Sequence, residues 1–467
     1  MTTSNITFPL ELVEAFVEQL APGTGIVQEK QIFQTLISCT LASKYFSFAA
    51  RKRLFSNLVV DRESEYLSQK NTSRNKIRTE EETSRRINTF LHLLADERSS
   101  DLALMVRSLH IVVDKNRVIL QQATNLHSLL RVLSHRAHNL SMLQVYGLIF
   151  VSWPTIPQET ADGLYTICRS LPVNHLSFRR VRDIPPIIAS AQESPHLLYI
   201  DLKNAKFGEI ETGMAAESNI SPARNVMSED LDLLGSLSRY GSYEIRHTSD
   251  GRTHIVGIDV AIQHPDDAKQ LNQLLSDERV RSSLQYCCCD IYKSFLTTTA
   301  IDFGTMGLLR KLVIESRIGF SQKSETTRDA ITSEIRVDIY QGYQGITDAM
   351  NSLIDHLYYG TTKSALQEIK VTLNVGHVLY KGINMFDAVD FGSLQRLRID
   401  SLRQKHPLIQ STQFHMNVGL TPQNSAHPEV QSSVEEIVRK VITDAITFPP
   451  IDESLLPKIH ICAKREH

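Results

Sequence analysis

Three consecutive cysteines, Cys287, Cys288 and Cys289, are the residues of this chain whose type and spacing most suggest chemistry. Cysteine thiolates bind zinc, so a cysteine cluster is a candidate metal site. Successive residues of a strand, however, point to opposite faces, so three cysteines in a row cannot converge on one ion. We therefore expect them to pack as small apolar side chains, and we predict no metal site and no cofactor.

Histidine and carboxylate pairs are the other candidates for catalysis or metal binding. His135 and His138 lie beside arginines at the predicted end of a helix, where solvated cations are favourable. Asp266-Asp267 and Glu435-Glu436 fall on predicted helix surfaces without an accompanying partner. The sequence also lacks a glycine-rich phosphate loop, H-E-x-x-H, paired C-x-x-C and G-x-S-x-G. We therefore predict that the chain is not an enzyme.

A basic run, Arg179-Arg180-Val181-Arg182, follows a predicted strand. It is either a site for an acidic partner or an ordinary exposed turn, and the sequence leaves both open. The whole chain is close to neutral, with a net charge of -2 and a pI near 6.8. Nucleic-acid binding usually needs a strongly basic face, so we expect no nucleic-acid partner.

The composition indicates a globular protein of the cytoplasm, the nucleus or both. Hydrophobic residues make up 42% and charged residues 22% of the 467 residues. The six cysteines are sparse and irregularly spaced, as in proteins of reducing compartments. The chain has no apolar run long enough to span a bilayer, and residues 1–7 do not resemble a secretion signal. We therefore expect no membrane association.

The pattern L-x-x-L-x-L, with other apolar residues allowed at the same positions, recurs along the chain. It recurs at intervals of about 28 residues or about twice that, a period typical of leucine-rich repeats. The alternating part predicts a short strand with one buried face, and the leading residue predicts an anchor before it. The pattern begins at Val106, Leu140, Val173, Leu197, Ile255, Leu309, Leu366, Leu394 and Leu456. Degenerate copies are expected at Leu284-x-Tyr286-x-Cys288 and Ile335-x-Val337-x-Ile339.

Helical segments separate these strands. Apolar residues at helical spacing predict helices at 87–95, 126–135, 160–169, 231–237, 268–275, 346–357 and 434–445. Alternating strands and helices predict an α/β fold with a parallel sheet, in which each unit buries its apolar face against its neighbours. We therefore expect an irregular leucine-rich-repeat-like solenoid. The alternative is a non-repeat α/β fold, because L-x-x-L-x-L also arises by chance in leucine-rich chains.

Three short helices are predicted before this body. Pro9 fits the first turn of a helix, and Pro22-Gly23 ends that helix. Helices of this size bury little surface alone, so we expect support from a partner or from the next domain. Their apolar positions are Leu12, Val13, Phe16, Val17 and Leu20, then Ile32, Phe33, Leu36, Ile37 and Leu41, then Phe46, Ala49, Ala50 and Leu54.

Residues 8–58 resemble an F-box, the helical module that docks a protein onto a Skp-type adaptor of a cullin-RING ubiquitin ligase. Phe8-Pro9-x-Glu11-Leu12 stands where the family usually has Leu-Pro-x-Glu-Leu, and Phe46 takes the place of the usual tryptophan. An F-box followed by an irregular helix–strand body is similar to the F-box-like proteins of mushroom-forming fungi. The candidate adaptor-binding residues are Phe8, Pro9, Leu12, Phe16, Leu36, Leu41 and Phe46.

This resemblance implies a substrate-recognition subunit of an SCF-type ubiquitin ligase. Such a subunit binds a Skp-type adaptor, through it a cullin, and an unknown protein client, while a separate enzyme transfers ubiquitin. The alternative is a protein-interaction solenoid outside any ligase, with the three helices as a structural cap.

Strand geometry predicts where a client binds. In L-x-x-L-x-L, the residue between the last two apolar positions points away from the core, as does the residue two positions later. Stacked units line these residues up on the extended face that repeat proteins commonly use for binding. Acidic and basic residues alternate there, which favours a protein client. The candidate client-binding residues are His110, Gln144, Tyr146, Arg179, Asp201, Lys203, Asp259, Lys370 and Arg398.

The predicted domain organisation has three parts. Residues 1–58 form the F-box-like helical domain, residues 59–86 a charged linker, and residues 87–467 the recognition domain. Two polar stretches, 206–228 and 410–430, are expected to be loops, either tolerated insertions or binding elements. Asp250-Gly251 predicts a hairpin between residues 245 and 255.

Overall fold

The fold is described from a computed structural model, and it is mixed α/β with a largely parallel sheet. The chain divides into two compact units, residues 1–235 with 247–253, and residues 236–246 with 254–467. The structure describes residues 10–20, 30–60, 80–96, 101–113, 124–208, 222–292, 306–318, 366–375, 379–380, 383–384, 408, 410–420 and 458–465.

The first unit begins with three helices, α1 (Leu10–Leu20), α2 (Lys30–Ala42) and α3 (Lys44–Phe55), which we call the head. The side chain of Ser43 caps α3 by accepting a hydrogen bond from the Phe46 N–H, as serine commonly does at a helix start. Lys52 of α3 forms a 2.8 Å ion pair with Glu14 of α1. The head has a small core of its own, made by Val13, Val17, Leu36, Ala49 and Ala50.

The rest of the first unit alternates strands with helices. Its five strands are parallel and lie in the sheet in the order in which they occur in the chain, so each connection must cross back along the sheet. The strands are β1 (Asn57–Val60), β2 (Ser108–Val113), β3 (Met142–Ser152), β4 (His175–Arg182) and β5 (Tyr199–Lys203). The helices are α4 (Glu80–Ala95), α5 (Leu102–Met105), α6 (Thr124–Arg136), α7 (Gln158–Ser170) and α8 (Pro222–Gly235), with 3-10 turns at Trp153–Thr155 and Pro186–Ala189.

The second unit continues the same alternation. Its first two strands, β6 (Tyr240–His247) and β7 (Thr253–Ile262), are joined by a turn in which the Thr248 N–H donates to the Arg252 carbonyl, as the Asp250-Gly251 pair predicted. Gly251 has a φ of 81°, and the turn itself is assigned to the first unit. The sheet order is β6-β7-β8-β9-β10-β13-β14, and every pair from β7 onward is parallel. Its elements are β6 (Tyr240–His247), β7 (Thr253–Ile262), α9 (Pro265–Ser276), α10 (Glu278–Arg281), β8 (Tyr286–Tyr292), β9 (Lys311–Ile318), β10 (Glu368–Val375), β11 (Leu379–Tyr380), β12 (Ile383–Asn384), β13 (Ser411–Leu420) and β14 (Lys458–Arg465).

The predicted buried positions of the pattern line up between neighbouring strands. Leu109, Leu143, Leu176 and Ile200 are in register and at most 1% exposed. In the second unit Ile258, Cys287 and Leu312 form a corresponding buried row. The residues that lead each pattern are buried as well, namely Val106, Leu140, Val173, Leu197, Ile255, Leu284, Leu309 and Leu366.

A repeated backbone motif stands at the entrance to the strands. The backbone carbonyl just before one strand accepts hydrogen bonds from two successive N–H groups at the start of the next strand in the sheet. These bonds join neighbouring strands through the backbone alone. The accepting carbonyls are Ser56, Arg107, Ser141 and Asn174 in the first unit and Gln285 and Arg310 in the second, with N···O distances of 2.8–3.1 Å.

Helix faces complete the core of the first unit. Leu126, Leu129, Leu130 and Leu133 of α6 are buried. A Cβ added at Gly163 of α7 would lie 2.9 Å from Leu130 Cδ1, so α6 and α7 pack too closely there for a larger residue. The helices predicted at 87–95, 126–135, 160–169 and 268–275 are all present.

Several sequence predictions are wrong in detail. In β8, the strand that carries the cysteine triplet, the buried positions follow Leu284-x-x-Cys287-x-Cys289, not the predicted Leu284-x-Tyr286-x-Cys288. Residues 222–228, expected in a loop, begin α8, and residues 411–420 form β13. Phe414, Met416, Val418 and Leu420 alternate along β13, and this period of two is the signal that the polar composition concealed.

Some predicted boundaries fall within regular elements. β1 crosses the expected boundary at residue 58, and α4 begins at Glu80, inside the expected linker. The strands at Ile335–Ile339 and Leu394–Ile399 and the helices at 346–357 and 434–445 lie outside the described residues. Within the described ranges, none of the helices has both the length and the apolar character needed to cross a bilayer.

Candidate functional site

The head presents an apolar surface to solvent. Leu12 and Phe16 are four residues apart on α1, and Phe33, Ile37 and Leu41 are spaced in the same way on α2, so each set lies on one side of its helix. All five are exposed, from 42% for Ile37 to 83% for Leu41. We call these five residues the head surface.

This concentration of exposed apolar side chains is unusual within the chain. Eight of the fifteen large apolar side chains that are exposed among the described residues belong to the head. Leu10, Tyr45 and Phe48 join the head surface in this group. Accumulated exposed apolar side chains on a protein commonly mark an interaction site.

The structure corrects one predicted adaptor contact and changes the role of another. Leu36 is completely buried in the core of the head, so it cannot reach a partner. Phe46 is partly buried and packs edge-on against Phe16, with ring centroids 5.9 Å apart. Phe8 and Pro9 lie outside the described residues. Sequence reasoning missed Phe33 and Ile37 as exposed candidates because they share an apolar stripe with Leu36.

The predicted client residues of the first unit are brought together in two rows. His110, Gln144 and Asp201 align across β2, β3 and β5 through Ser177 of β4. Two positions later, Tyr146, Arg179 and Lys203 form the second row. Tyr146 is only 5% exposed, so the prediction that it contacts a client is wrong, and it supports the arginines instead. In the second unit Asp259 is exposed and aligns through Cys288 and Val313 with Lys370. Arg398 lies outside the described residues.

Polar side chains near the start of these strands contact one another. His175 Nε2 lies 2.7 Å from Asp201 Oδ2, and His110 Nε2 lies 3.1 Å from Ser108 Oγ. Burial lowers the pKa of His110 because the charged imidazolium loses its hydration, while a hydrogen bond with Gln144 opposes this change. His110 is therefore a neutral hydrogen-bonding group at neutral pH.

Cations and aromatic rings meet at the other end of β3 and β4. The guanidinium carbons of Arg179 and Arg180 lie 5.1 and 5.7 Å from the ring centroid of Tyr146. Arg180 Nη1 also donates a 3.0 Å hydrogen bond to the Tyr146 hydroxyl. Arg182 stacks over Phe150 at 4.1 Å. Such cation–π contacts hold the guanidinium groups in place.

An irregularity in strand pairing positions these arginines. Tyr146 pairs with Arg179, but the next pair is Val151 with Val181, so four residues of β3 stand opposite Arg180 alone. Arg180 and Asp183 adopt left-handed backbone conformations, with φ of 53° and 56°. Each costs a non-glycine residue about 1–2 kcal/mol. Strained residues of this kind cluster at functional sites, so the arginine-bearing end of β4 is a candidate for binding.

The cysteine triplet is part of the core. Cys287 and Cys289 point into the core with their Sγ atoms 3.8 Å apart, whereas Cys288 lies on the opposite face of β8. In the parts of the chain that the structure describes, no group of three His, Cys, Asp or Glu residues is arranged to hold a metal ion.

None of the family models or curated proteins compared with the sequence matches it.

Burial predicts how the cysteines react. It raises the pKa of the Cys168 thiol to about 12, because a thiolate in the apolar core loses its hydration. We expect iodoacetamide at mildly alkaline pH to alkylate partly exposed Cys39 in the native protein and to leave Cys168 unmodified. Peptide mass spectrometry measures both sites in one sample. Equal rates of modification would contradict the buried position of Cys168.

Proposed function

We propose that this chain is the substrate-recognition subunit of an SCF-type cullin-RING ubiquitin ligase. The head docks onto a Skp-type adaptor and through it onto a cullin, and the sheet carries the surface that binds a protein client. The observation that carries the proposal is the head surface, an exposed apolar surface on the segment that resembles an F-box.

The head has apolar residues that fill its core and other apolar residues that are exposed, and this separation supports docking. Val13 and Val17 of α1 and Leu36 of α2 fill the core, so the head folds around its inner faces. Leu12 and Phe16 of α1 and Leu41 of α2 are exposed and are not members of that core. Burying these side chains against a partner removes apolar surface from water, at about 25 cal/mol for each Å².

The body fits an irregular leucine-rich-repeat-like solenoid. Three features recur from one strand repeat to the next: in-register leucines, buried leading residues, and one carbonyl that accepts from two N–H groups. In repeat proteins such stacking leaves one side of the strands free to contact a partner over a long distance. The subunit then holds the client, and a separate enzyme of the ligase transfers ubiquitin.

A structural cap on a non-ligase interaction protein is the second candidate. It is favoured by the contacts that join the head to the rest of the first unit. Phe55 stacks on Phe90 of α4 at 6.0 Å, and Arg51 lies 3.6 Å from Asp101. A cap of this kind needs α3 only, whereas the exposed stripes of α1 and α2 have no role in it.

Titration of the purified full chain with a Skp-type adaptor tests the proposal. We expect Leu12→Asp with Leu41→Asp to weaken adaptor binding about 100-fold or more, because each places a carboxylate in an apolar contact. The matched control is Leu198→Asp with Leu308→Asp, which makes the same change at two exposed leucines outside the head.

The control variant should bind the adaptor as the unmodified chain does. Circular dichroism of both variants shows whether the fold is retained. If the unmodified chain does not bind the adaptor, or if the two variants bind equally well, the ligase assignment fails and the cap remains.

A further inference from the structure

Basic side chains accumulate where β4 and β5 end. Arg179, Arg180 and Arg182 occupy the end of β4, and Lys203 aligns with Arg179 at the end of β5. The Lys206 N–H donates to the Val181 carbonyl at 3.0 Å, and its carbonyl accepts from Ile184 N–H at 3.2 Å, so Lys206 lies beside the same turn. We call these five cations the basic edge.

The chain as a whole does not explain this accumulation. Its net charge is -2, so five cations on two neighbouring strand ends are a local excess. Asp183 is the acidic residue within the turn, and its carboxylate accepts a hydrogen bond from the Ser152 hydroxyl at 2.5 Å. Within this group the five cations outnumber the one carboxylate.

The aromatic rings give the edge a fixed geometry. A guanidinium group stacked on a ring presents the N–H groups around its rim, and these match the two oxygens of a carboxylate. Arg179 and Arg180 stack on Tyr146, which is itself buried, and Arg182 stacks on Phe150. The left-handed conformation of Arg180 and the irregular pairing of β3 hold these side chains together.

We propose that the basic edge binds an acidic peptide segment of the client. This rests on the proposed function, because it specifies the chemistry of the client that the ligase subunit holds. Arg179 and Arg182 form hydrogen bonds with Asp or Glu carboxylates of the peptide. Lys203 and Lys206, both exposed, attract further acidic residues of the peptide. Phe150, also exposed, contacts the aliphatic parts of the peptide's acidic side chains.

Charge and geometry favour a peptide over nucleic acid. Nucleic-acid surfaces carry basic residues over a whole face, whereas the strand starts on this sheet carry Asp201 in contact with His175. A short acidic segment needs only the end of two strands. Two members of the edge, Arg179 and Lys203, also belong to the row predicted to bind a client.

Fluorescence anisotropy of a labelled peptide rich in Glu and Gly tests the proposal on the full chain without adaptor. A peptide of the same length with Gln in place of Glu is the probe control. We expect saturable binding of the Glu peptide that weakens with added salt, and about tenfold or greater loss in Arg179→Gln with Arg182→Gln. Arg180 is left unchanged because it bonds to Tyr146.

Two further variants make the result decisive. Arg131→Gln with Arg252→Gln removes the same charge at exposed arginines elsewhere and should bind the Glu peptide normally. Lys203→Gln with Lys206→Gln changes the edge without touching the stacked arginines and should bind about three- to tenfold more weakly. Equal binding by all variants, or equal binding of the Gln peptide, would overturn the proposal.

A single-stranded oligonucleotide serves as the competing polyanion. If it binds the edge more tightly than the Glu peptide does and loses affinity in the same variants, the edge is a nucleic-acid site and the proposal fails. Adaptor titration of the unmodified chain, run beside its peptide titration, separates the two proposals. Normal adaptor binding without peptide binding rejects only the client chemistry, and peptide binding without adaptor binding rejects only the ligase role.

Discussion

Replacing Phe178 with alanine is expected to lower the free energy of unfolding of the first unit by about 3–5 kcal/mol. Phe178 is 1% exposed and lies between two other aromatic residues. Its ring centroid is 6.1 Å from that of Trp153 and 6.3 Å from that of Phe207, and both contacts are edge-to-face. The alanine variant loses the buried surface of the ring and both aromatic contacts, and it leaves a cavity beside the sheet.

The chain contains a single tryptophan, which makes this effect direct to measure. Trp153 contacts Phe178, so its fluorescence during urea denaturation reports on the cluster itself. Phe150→Ala is the matched control, because it removes the same ring from an exposed position of the neighbouring strand and should change stability by about 1 kcal/mol or less. If the two variants unfold at the same urea concentration, Phe178 is not a core residue.

The burial of Phe178 could be predicted from the sequence pattern. The same kind of pattern made the sheet easier to predict than the head. In a strand the side-chain period is two, so Leu176 and Phe178 must share a face once one of them is buried. Parallel pairing then places Leu143 and Leu176 in one row. The same rule, applied to Leu284 with Cys287 and Cys289, gives the register that the structure has.

The basic edge depends on features that local patterns do not encode. The run of arginines was visible, but its two interpretations differed only in backbone geometry and neighbouring rings. The left-handed Arg180 and the four residues of β3 opposite it follow from tertiary pairing. Lys206 reaches the edge through a turn after β5, which no periodic pattern marks.

The head was the hardest part to interpret because its helices are apolar on more than one side. On α2, Leu36 and Ile37 are adjacent in sequence and belong to one broad apolar stripe. The structure places Leu36 in the core and leaves Ile37 42% exposed. A helical period distinguishes apolar from polar faces, but it cannot distinguish a face that fills the core from a face that binds a partner.

Leu36→Ala is therefore expected to destabilise the head by about 2–5 kcal/mol, whereas Leu41→Ala should change its stability by about 0.5 kcal/mol or less. Leu36 is fully buried among Val13, Val17, Ala49 and Ala50, so its truncation leaves a cavity in a core with few other residues. Leu41 is 83% exposed, and its truncation creates no cavity. Both substitutions remove the same atoms from the same helix, so burial is the difference between them.

Hydrogen exchange followed by mass spectrometry measures this difference in the full chain, because it resolves the amides of α1–α3 from those of the sheet. Leu36→Ala should accelerate exchange throughout α1–α3 and leave β2–β4 protected, while Leu41→Ala should exchange like the unmodified chain. If Leu41→Ala accelerates exchange as much as Leu36→Ala does, Leu41 supports the fold and is not available to an adaptor. If Leu36→Ala also exposes β2–β4, the head and the sheet unfold together, as a structural cap requires.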